Sequence, residues 1–87
     1  MTDFEFDENK SVANKAKHGI DFVEGQALWS DERRLEIAAR TEDEPRFMLI
    51  GVIEDEHWSA VFTPRGLKIR LISIRPSRDS EVKAYEG

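Results

Sequence analysis

Three apolar segments follow one another through the second half of the chain, separated only by tight turns. They run from Arg46 to Ile53, from Trp58 to Thr63 and from Leu67 to Arg75, with turns at Glu54–Glu56 and Pro64–Gly66. Segments of this length that are rich in Val, Ile and Phe are typical of β-strands. Turns this short cannot hold a crossover, which needs about a dozen residues, so successive strands must be antiparallel. The sequence therefore predicts an antiparallel meander.

A helix is predicted before the meander. Asp7 is a typical N-cap for a helix from Glu8 to about Lys17, and Gly19 can end that helix in the left-handed conformation. The apolar stripe that faces the core is expected to contain Val12, Ala13 and Ala16.

Shorter signals complete the order of elements. Asp21 and Glu24 have the spacing of a capping box, which predicts a second helix over 22–29. The other predicted elements are a first strand over 4–6, a strand over 33–38, a polar connection over 40–45 and a final helix over 78–86 with Ser77 as its cap. The predicted order is β-α-α-β-β-β-β-α, a single α+β domain over residues 1–87 with an antiparallel sheet of about four strands.

The last strand of the meander is apolar on both faces, but only one face is also basic. Alternation places one set on the first face (Leu67, Ile69, Leu71) and another on the second (Lys68, Arg70, Ile72, Ile74). We therefore expect helices to cover the first face and leave a basic, concave second face at least partly wet. Arg70 and Arg75 are five positions apart, so they point to opposite faces unless a bulge near Ser73 intervenes.

The charge of the chain is unevenly distributed. The net charge is −5, and residues 1–62 carry seven Lys or Arg against fifteen Asp or Glu. Residues 63–78 carry five basic residues and no acid. Such a stripe can bind phosphate even on an acidic body, because an anion responds to the local potential. A solvated edge strand is an equally good interpretation of the charge alone.

Several classes of protein and site are disfavoured. The chain has no cysteine, and its two histidines lack metal-ligand spacing, so we expect no disulfide, metal or other cofactor. The apolar runs are too short to cross a bilayer, and the first residues are acidic where a signal peptide would be basic. We therefore expect a cytoplasmic protein with no membrane partner.

A polar face on the first predicted helix carries the candidate proton-transfer group. Lys10, Asn14 and His18 recur every four residues, and Lys17 lies beside them. An ordinary solvent-facing stripe explains the same spacing. A histidine in the last helical turn is also favoured by the helix dipole, which is a purely structural reason for His18. His57, in a turn beside three acids, is interpreted as a surface residue.

Taken in order, these segments match a known pattern. It comprises Phe4-x-Phe6-Asp7-x-x-Lys10-x-x-x-Asn14-x-x-Lys17-His18-Gly19-Ile20-x-Phe22, then Glu44-x-Arg46-Phe47 with Gly51, then Thr63-x-Arg65-Gly66, and finally Ile69-Arg70-x-Ile72-Ser73-x-Arg75-Pro76 with Glu81 and Tyr85. The chain resembles the BrnT family of type II toxins, small ribonucleases with a RelE-like fold. Family members often have Trp at the position of Phe6, and they tend to be basic overall.

The resemblance implies an endoribonuclease toxin of a toxin–antitoxin system that inhibits translation. It also implies neutralisation by a ribbon-helix-helix antitoxin of the BrnA type, within a complex that represses its own promoter. DNA would then be contacted only through the antitoxin, and a homodimer within the complex is one compatible assembly.

Metal-independent RNA cleavage uses the 2′-OH of the substrate, and the protein supplies orientation, charge stabilisation and proton transfer. Guanidinium groups suit the phosphoryl oxygens, and histidine is the side chain that titrates near neutrality. The candidate catalytic residues are His18, Lys17, Arg65, Arg70 and Arg75, and the candidate RNA-binding residues are Arg46, Lys68 and Arg78. Tyr85 could stack on a base, but packing of the last helix explains it better.

Two other functional classes stay open. The acidic balance favours a degenerate toxin homologue that acts only as an interaction or co-repressor subunit. Direct binding of duplex DNA is disfavoured, because no predicted helix has the basic character of a recognition helix.

Overall fold

The computed structural model describes residues 3–39 and 43–87, and this part of the chain forms two α-helices, a 3₁₀ helix and a five-stranded sheet. The elements are β1 Asp3–Glu5, α1 Glu8–His18, the 3₁₀ helix Glu24–Ser30, β2 Leu35–Ala39, β3 Arg46–Ile53, β4 Glu56–Arg65, β5 Lys68–Pro76 and α2 Asp79–Glu86. The mixed α+β fold is confirmed. Part of the polar connection predicted over 40–45, residues 40–42, lies outside the described residues. No helix in the described ranges is long and apolar enough to cross a membrane.

The strands follow the order β1-β5-β4-β3-β2. The meander from β2 to β5 is antiparallel throughout, as the short turns predict. The count of about four strands was too low, because β1 joins the sheet beside β5 and parallel to it. A parallel pair needs a long crossover, and everything between β1 and β5 provides one.

A bulge interrupts the pairing of β4 with β5. Val61 lies opposite Ser73, but the next residue of β4, Phe62, lies opposite Leu71. Ile72 is therefore an extra residue without a partner in the register. One extra residue reverses the alternation of side chains beyond it.

The bulge changes which side chains of β5 share a face. Ile74, expected on the basic face, is instead fully buried in the core. Arg70 lies opposite Thr63, and Arg75 lies opposite Ser59. Since Thr63 and Ser59 are four positions apart on a regular strand, both arginines point to the same face of the sheet. The sequence left this open, and the bulge near Ser73 decides it.

Helix α1 begins and ends as predicted but buries a different side. The Asp7 carboxylate accepts hydrogen bonds at the N-terminus, and Gly19 takes a φ of 81° at the C-terminus. Val12 is 67% exposed, so the predicted apolar stripe was wrong. The buried residues of α1 are Ser11 and Asn14.

Hydrogen bonds to the backbone explain this polar buried side. The Ser11 hydroxyl accepts from the Phe22 amide at 2.9 Å. The Asn14 amide group donates to the Ile20 carbonyl at 2.8 Å, and its oxygen accepts from the Ile74 amide at 3.2 Å. Buried polar groups are tolerated when they are paired in this way. Asn14 thus fixes α1 to β5 just after the bulge, and it does not belong to the exposed face on which the sequence placed it.

The segment after α1 forms a 3₁₀ helix rather than the α-helix predicted over 22–29. The predicted capping box is present, because the Asp21 carboxylate accepts from the Glu24 amide at 2.7 Å and Glu24 accepts from the Asp21 amide at 3.0 Å. Gly25 lies so close to Ile74 that an added Cβ would be 2.1 Å from its Cδ1. The 3₁₀ helix and α1 cover one face of the sheet, over a core of buried residues: Ile20, Phe22, Leu28, Leu49, Trp58, Ala60, Phe62, Leu71 and Ile74.

Helix α2 packs on the opposite face, so the expectation that helices cover only one face was wrong. It has no buried residue of its own. Arg78, not Ser77, takes the N-cap position, and its amide donates to the Glu81 carboxylate at 2.8 Å. The Ser77 hydroxyl instead forms a hydrogen bond with Ser59 at 2.8 Å. The helix covers one end of this face, and at the other end Arg46, Arg65 and Lys68 are exposed among the described residues.

Candidate functional site

We call the sheet face opposite α1 the arginine face, because it carries Arg70 and Arg75. The pairing of β4 with β5 also places Arg65 beside Lys68 on this face, two residues from Thr63 and Arg70. Phe47 of β3 lies opposite Phe62 of β4, so the next pair in the same register is Arg46 and Thr63. Neighbouring strands are about 4.8 Å apart, so these side chains leave adjacent positions of the sheet. We call the four cations Arg46, Arg65, Lys68 and Arg70 the basic patch.

Two cations of the basic patch have carboxylate partners. Arg70 donates to Glu5 of β1 at 3.0 Å, with both side chains about one-third exposed. Arg65 lies 3.4 Å from Glu44, and these side chains are more exposed. Those two pairs are the salt bridges of the patch within residues 3–39 and 43–87. Ion pairs this exposed contribute about 0–1 kcal/mol, so they leave the guanidinium groups open to exchange.

Arg75, at the other end of the arginine face, is held much more firmly. Its two terminal nitrogens donate to the two carboxylate oxygens of Glu81 at 2.8 and 2.7 Å. The hydrogen bond from Arg75 is the main reason why the pKa of Glu81 falls to about 2. The same bond raises the pKa of Arg75. Ser59 adds a further bond to Glu81 at 2.9 Å. This fork-to-fork pair joins α2 to the sheet.

The C-terminal half of α2 has two more polar contacts. The Tyr85 hydroxyl donates to Asp31 at 2.6 Å, and that bond raises the pKa of Tyr85. His57 lies 3.0 Å from Glu86 and meets the Tyr85 ring edge-on at 5.3 Å between centroids. Together with Arg75 and Glu81, these contacts dock α2 over the end of the arginine face where β4 begins.

His18 lies on the other side of the sheet. It lines an open cavity of about 430 Å³ beside core-face residues such as Trp58. The same cavity is lined by Glu24, Glu54 and Glu56. A phosphate would be repelled by this group of carboxylates. Lys17 is exposed at the end of the same helix.

The structure therefore divides the predicted site residues into three groups. Arg65 and Arg70 come together with two of the predicted RNA-binding residues in the basic patch. Arg75 shares their face but is engaged by α2, and Arg78 is exposed at the start of that helix. His18 and Lys17 are not brought to the arginines.

Sequence reasoning missed the carboxylates that face the arginines. Glu5 and Arg70 are separated by 65 positions, and Glu44 and Arg65 by 21. No local pattern links such residues, since only the sheet register brings them together. The sequence interpretation of His57 as a surface residue also missed its contacts, because His57 is partly buried between β4 and α2. Alternation along β4 offered a signal, because His57 and Ser59 are two positions apart and share a face.

Comparison with known proteins adds one match. The model of the family described as "Ribonuclease toxin, BrnT, of type II toxin-antitoxin system" matches residues 6–81. The matched range contains every element from α1 to β5 and reaches into α2. No curated protein matches the chain.

Proposed function

The chain belongs to the BrnT family of ribonuclease toxins of type II toxin–antitoxin systems, and from this premise we propose that its basic patch holds RNA for metal-independent cleavage. In this proposal the 2′-OH of the substrate attacks the adjacent phosphorus while the bond from phosphorus to the 5′-oxygen breaks, which leaves a 2′,3′-cyclic phosphate. Water takes the proton of the 2′-OH and supplies a proton to the leaving 5′-oxygen. The protein positions the strand and stabilises the negative charge that develops on the phosphoryl oxygens. The site of action is the cytoplasm, where translated RNA is found.

One observation supports the proposal most directly. Four cations from three neighbouring strands share the open end of one sheet face, although the chain as a whole has a net charge of −5. A polyanion responds to this local concentration of positive charge. Guanidinium groups also match phosphate oxygens in geometry and remain charged at neutral pH. The arrangement suits the phosphate backbone of a single strand.

The residues of the patch take different roles in this proposal. Arg70 lies between β1 and β4 in the sheet and stabilises the reacting phosphoryl group. Arg46, Arg65 and Lys68 surround it and bind flanking phosphates. Arg75 holds α2 against the sheet, so it supports the surface without contacting RNA. His18 lies on the opposite side of the sheet and has no direct role in this proposal.

The partner in this proposal is a ribbon-helix-helix antitoxin of the BrnA type. The family implies an antitoxin, and the charge of the patch suggests how it neutralises the toxin. An acidic or polar segment that covers the patch would block access of RNA. The antitoxin would then contact the DNA of the promoter, and the toxin would not. A purified complex in which Arg65 and Arg70 react with a guanidine-specific reagent as readily as in the free chain would contradict this occlusion.

Cleavage of a defined RNA tests the catalytic proposal. The free chain, incubated with a 5′-labelled single-stranded RNA in the presence of EDTA, should yield fragments that end in a 2′,3′-cyclic phosphate. The same RNA with 2′-O-methyl groups should bind but remain intact. If four phosphates are neutralised, log affinity should fall with log salt with a slope of about −3. Cleavage of the methylated strand, or loss of all cleavage in EDTA, would reject the proposed chemistry.

A non-catalytic co-repressor is the second candidate. The pairing of Arg65 and Arg70 with carboxylates favours it, because both arginines are partly neutralised in the free chain. Inducible expression separates the two functions. Growth arrest that co-expression of the antitoxin relieves indicates a toxin. A chain that strengthens promoter repression by the antitoxin without arresting growth indicates the co-repressor.

A further inference from the structure

The short edge strand β1 carries two carboxylates along the border of the basic patch. Its parallel register with β5 places Asp3 opposite Lys68 and Glu5 opposite Arg70. Glu5 and Arg70 are cross-strand neighbours, so they meet on the arginine face. Every cation that β5 contributes to the patch therefore has an acidic residue of β1 beside it.

The contact between Glu5 and Arg70 is a single hydrogen bond between partly solvated side chains. One carboxylate oxygen lies 3.0 Å from one guanidinium nitrogen, and the two side chains are 31% and 33% exposed. The Arg75–Glu81 pair, in contrast, has two bonds and side chains that are 24% and 12% exposed. A single, solvated bond can be exchanged without moving the backbone.

The Glu5 carboxylate and an RNA phosphodiester offer the same chemistry to Arg70. Both carry one negative charge and present oxygen acceptors to a guanidinium group. The carboxylate is attached to a strand that pairs with β5, so its effective concentration at Arg70 is high. A phosphate that engages both terminal nitrogens of Arg70 must replace it, because Glu5 occupies one of them.

We infer that Glu5 is an internal competitor of the RNA backbone and determines how tightly the basic patch binds its substrate. The inference rests on the proposed function, because it assumes that RNA binds at Arg70. RNA displaces Glu5 because it engages the other cations of the patch at the same time. Glu5 itself contacts no substrate and acts through Arg70 as a positioning residue.

The test compares Glu5→Gln with a matched variant, Glu56→Gln. Both variants remove one negative charge, but Glu56 is exposed at the start of β4, seven positions from Thr63, the residue that pairs with Arg70. The probe is a 2′-O-methyl RNA dodecamer, which cannot be cleaved through its own 2′-OH, and fluorescence anisotropy gives its dissociation constant. Loss of an exposed ion pair of this type should tighten binding by about three- to fivefold in Glu5→Gln. The change in Glu56→Gln should stay below about twofold, because an exposed charge about 23 Å along the strand is screened by salt.

A double-mutant cycle with Arg70→Gln shows whether the effect passes through Arg70. We expect Glu5→Gln to have no effect on RNA binding in that background. With cleavable RNA, Glu5→Gln should lower KM and leave kcat unchanged, because the effect is on uniform binding. A merely structural role of Glu5 would lower the melting temperature and could not tighten binding. Glu5→Ala gives a second measurement if the amide variant does not fold.

The outcomes distinguish this inference from the proposed function. The inference would be overturned if the Glu5→Gln and Glu56→Gln variants bound RNA with equal affinity, or if Glu5→Gln tightened binding as much in the Arg70→Gln background. In either case, binding of RNA by the wild type would leave the RNA-binding proposal intact. No binding of RNA by any variant at low salt would overturn both.

Discussion

Arg70 and Arg75 lie on the same strand, point to the same face and each pair with one glutamate, yet their surroundings differ. Arg70 makes one hydrogen bond to Glu5 across a solvated strand pair. Arg75 makes two short hydrogen bonds to Glu81 of α2, whose side chain is only 12% exposed. Residue type and position in the sequence would assign both the same role. Burial and the number of hydrogen bonds assign them different ones.

The difference shows how a small acidic chain can present cations to an anion. A largely shielded, two-bond pair is destabilising to break, because the partner that remains carries a poorly solvated, uncompensated charge. A solvated, single-bond pair contributes little and exchanges partners easily. The α2 end of the arginine face is therefore structural, and the open end is available for binding. The predictions below test this division.

The largest effect is expected from Arg70→Gln. It removes the central charge of the basic patch, and loss of one preorganised group at a developing charge lowers kcat by about 10²-fold. The melting temperature should hardly change, because only one exposed ion pair is lost. Arg33→Gln is the control, since it changes the net charge equally at an exposed residue outside the patch. If the two variants lost cleavage activity to a similar extent, Arg70 would be no more important for cleavage than an exposed arginine outside the patch.

The second effect concerns the other arginine and is one of stability. Glu81→Gln breaks the pair with Arg75, whose hydrogen bond holds the pKa of Glu81 at about 2. A fall of the pKa from 4.5 to about 2 corresponds to roughly 3 kcal/mol at 1.36 kcal/mol per unit. Because the Arg75 side chain is still 24% exposed and the pair is partly screened, we expect the free energy of unfolding to fall by about 2–3 kcal/mol. Urea denaturation at pH 7 measures it, with Asp79→Asn on the exposed side of α2 as the control. RNA cleavage per folded molecule should change much less than in Arg70→Gln.

The same pair predicts an acid transition. The folded-state pKa of Glu81 lies below that of an ordinary carboxyl, so its stabilising contribution is complete above about pH 4.5 and is lost as the pH falls towards 2. The free energy of unfolding should therefore fall over that window in the wild type and fall less steeply in Glu81→Gln. Identical pH profiles of the two proteins would show that the pair does not stabilise α2.

In helix α1, the features that the sequence predicts correctly are those whose hydrogen bonds are local. Asp7 caps α1 and Gly19 ends it because the partners lie within a few residues. Ser11 and Asn14 contradict the apolar-stripe prediction because their partners are distant in sequence, on the Phe22 amide and on β5. Periodicity cannot detect a polar side chain that satisfies a backbone group elsewhere.

The same limit applies to the candidate site. A basic run without acids is visible in the sequence, and the structure gathers Arg65 and Arg70 from it. The bulge at Ile72, which decides the face of Arg75, depends on the pairing between two strands. So does the position of Glu5 opposite Arg70. Register is a property of the folded sheet, and alternation within one strand does not determine it.

A smaller effect is expected at the far end of α2. Tyr85→Phe removes the hydroxyl that donates to Asp31 and leaves the edge-on contact with His57. Loss of one hydrogen bond to a charged acceptor should lower the free energy of unfolding by about 1.5 kcal/mol. Urea denaturation is again the measurement. A decrease in RNA affinity without a change in stability would show that Tyr85 belongs to the binding surface and would move the boundary between the two ends of the face.

The smallest effect is expected from His18→Ala. The side chain lies on the opposite side of the sheet from Arg70, in a cavity that it shares with Glu24, Glu54 and Glu56. A proton-transfer group must come within hydrogen-bond reach of the reacting atoms, and this position does not provide that reach. A charged histidine in the last turn of a helix stabilises it by about 0.3–1 kcal/mol, so the melting temperature should fall by a few degrees at most. Cleavage per folded molecule should equal that of the wild type, and Lys17→Ala, on the same exposed end of α1, serves as the control. A fall of about 10²–10⁴-fold in kcat with an unchanged melting temperature would instead identify His18 as a general acid or base. That result would require RNA to reach both sides of the sheet. It would also contradict the proposal that Arg70 binds RNA at the open end of the arginine face while Arg75 only holds α2.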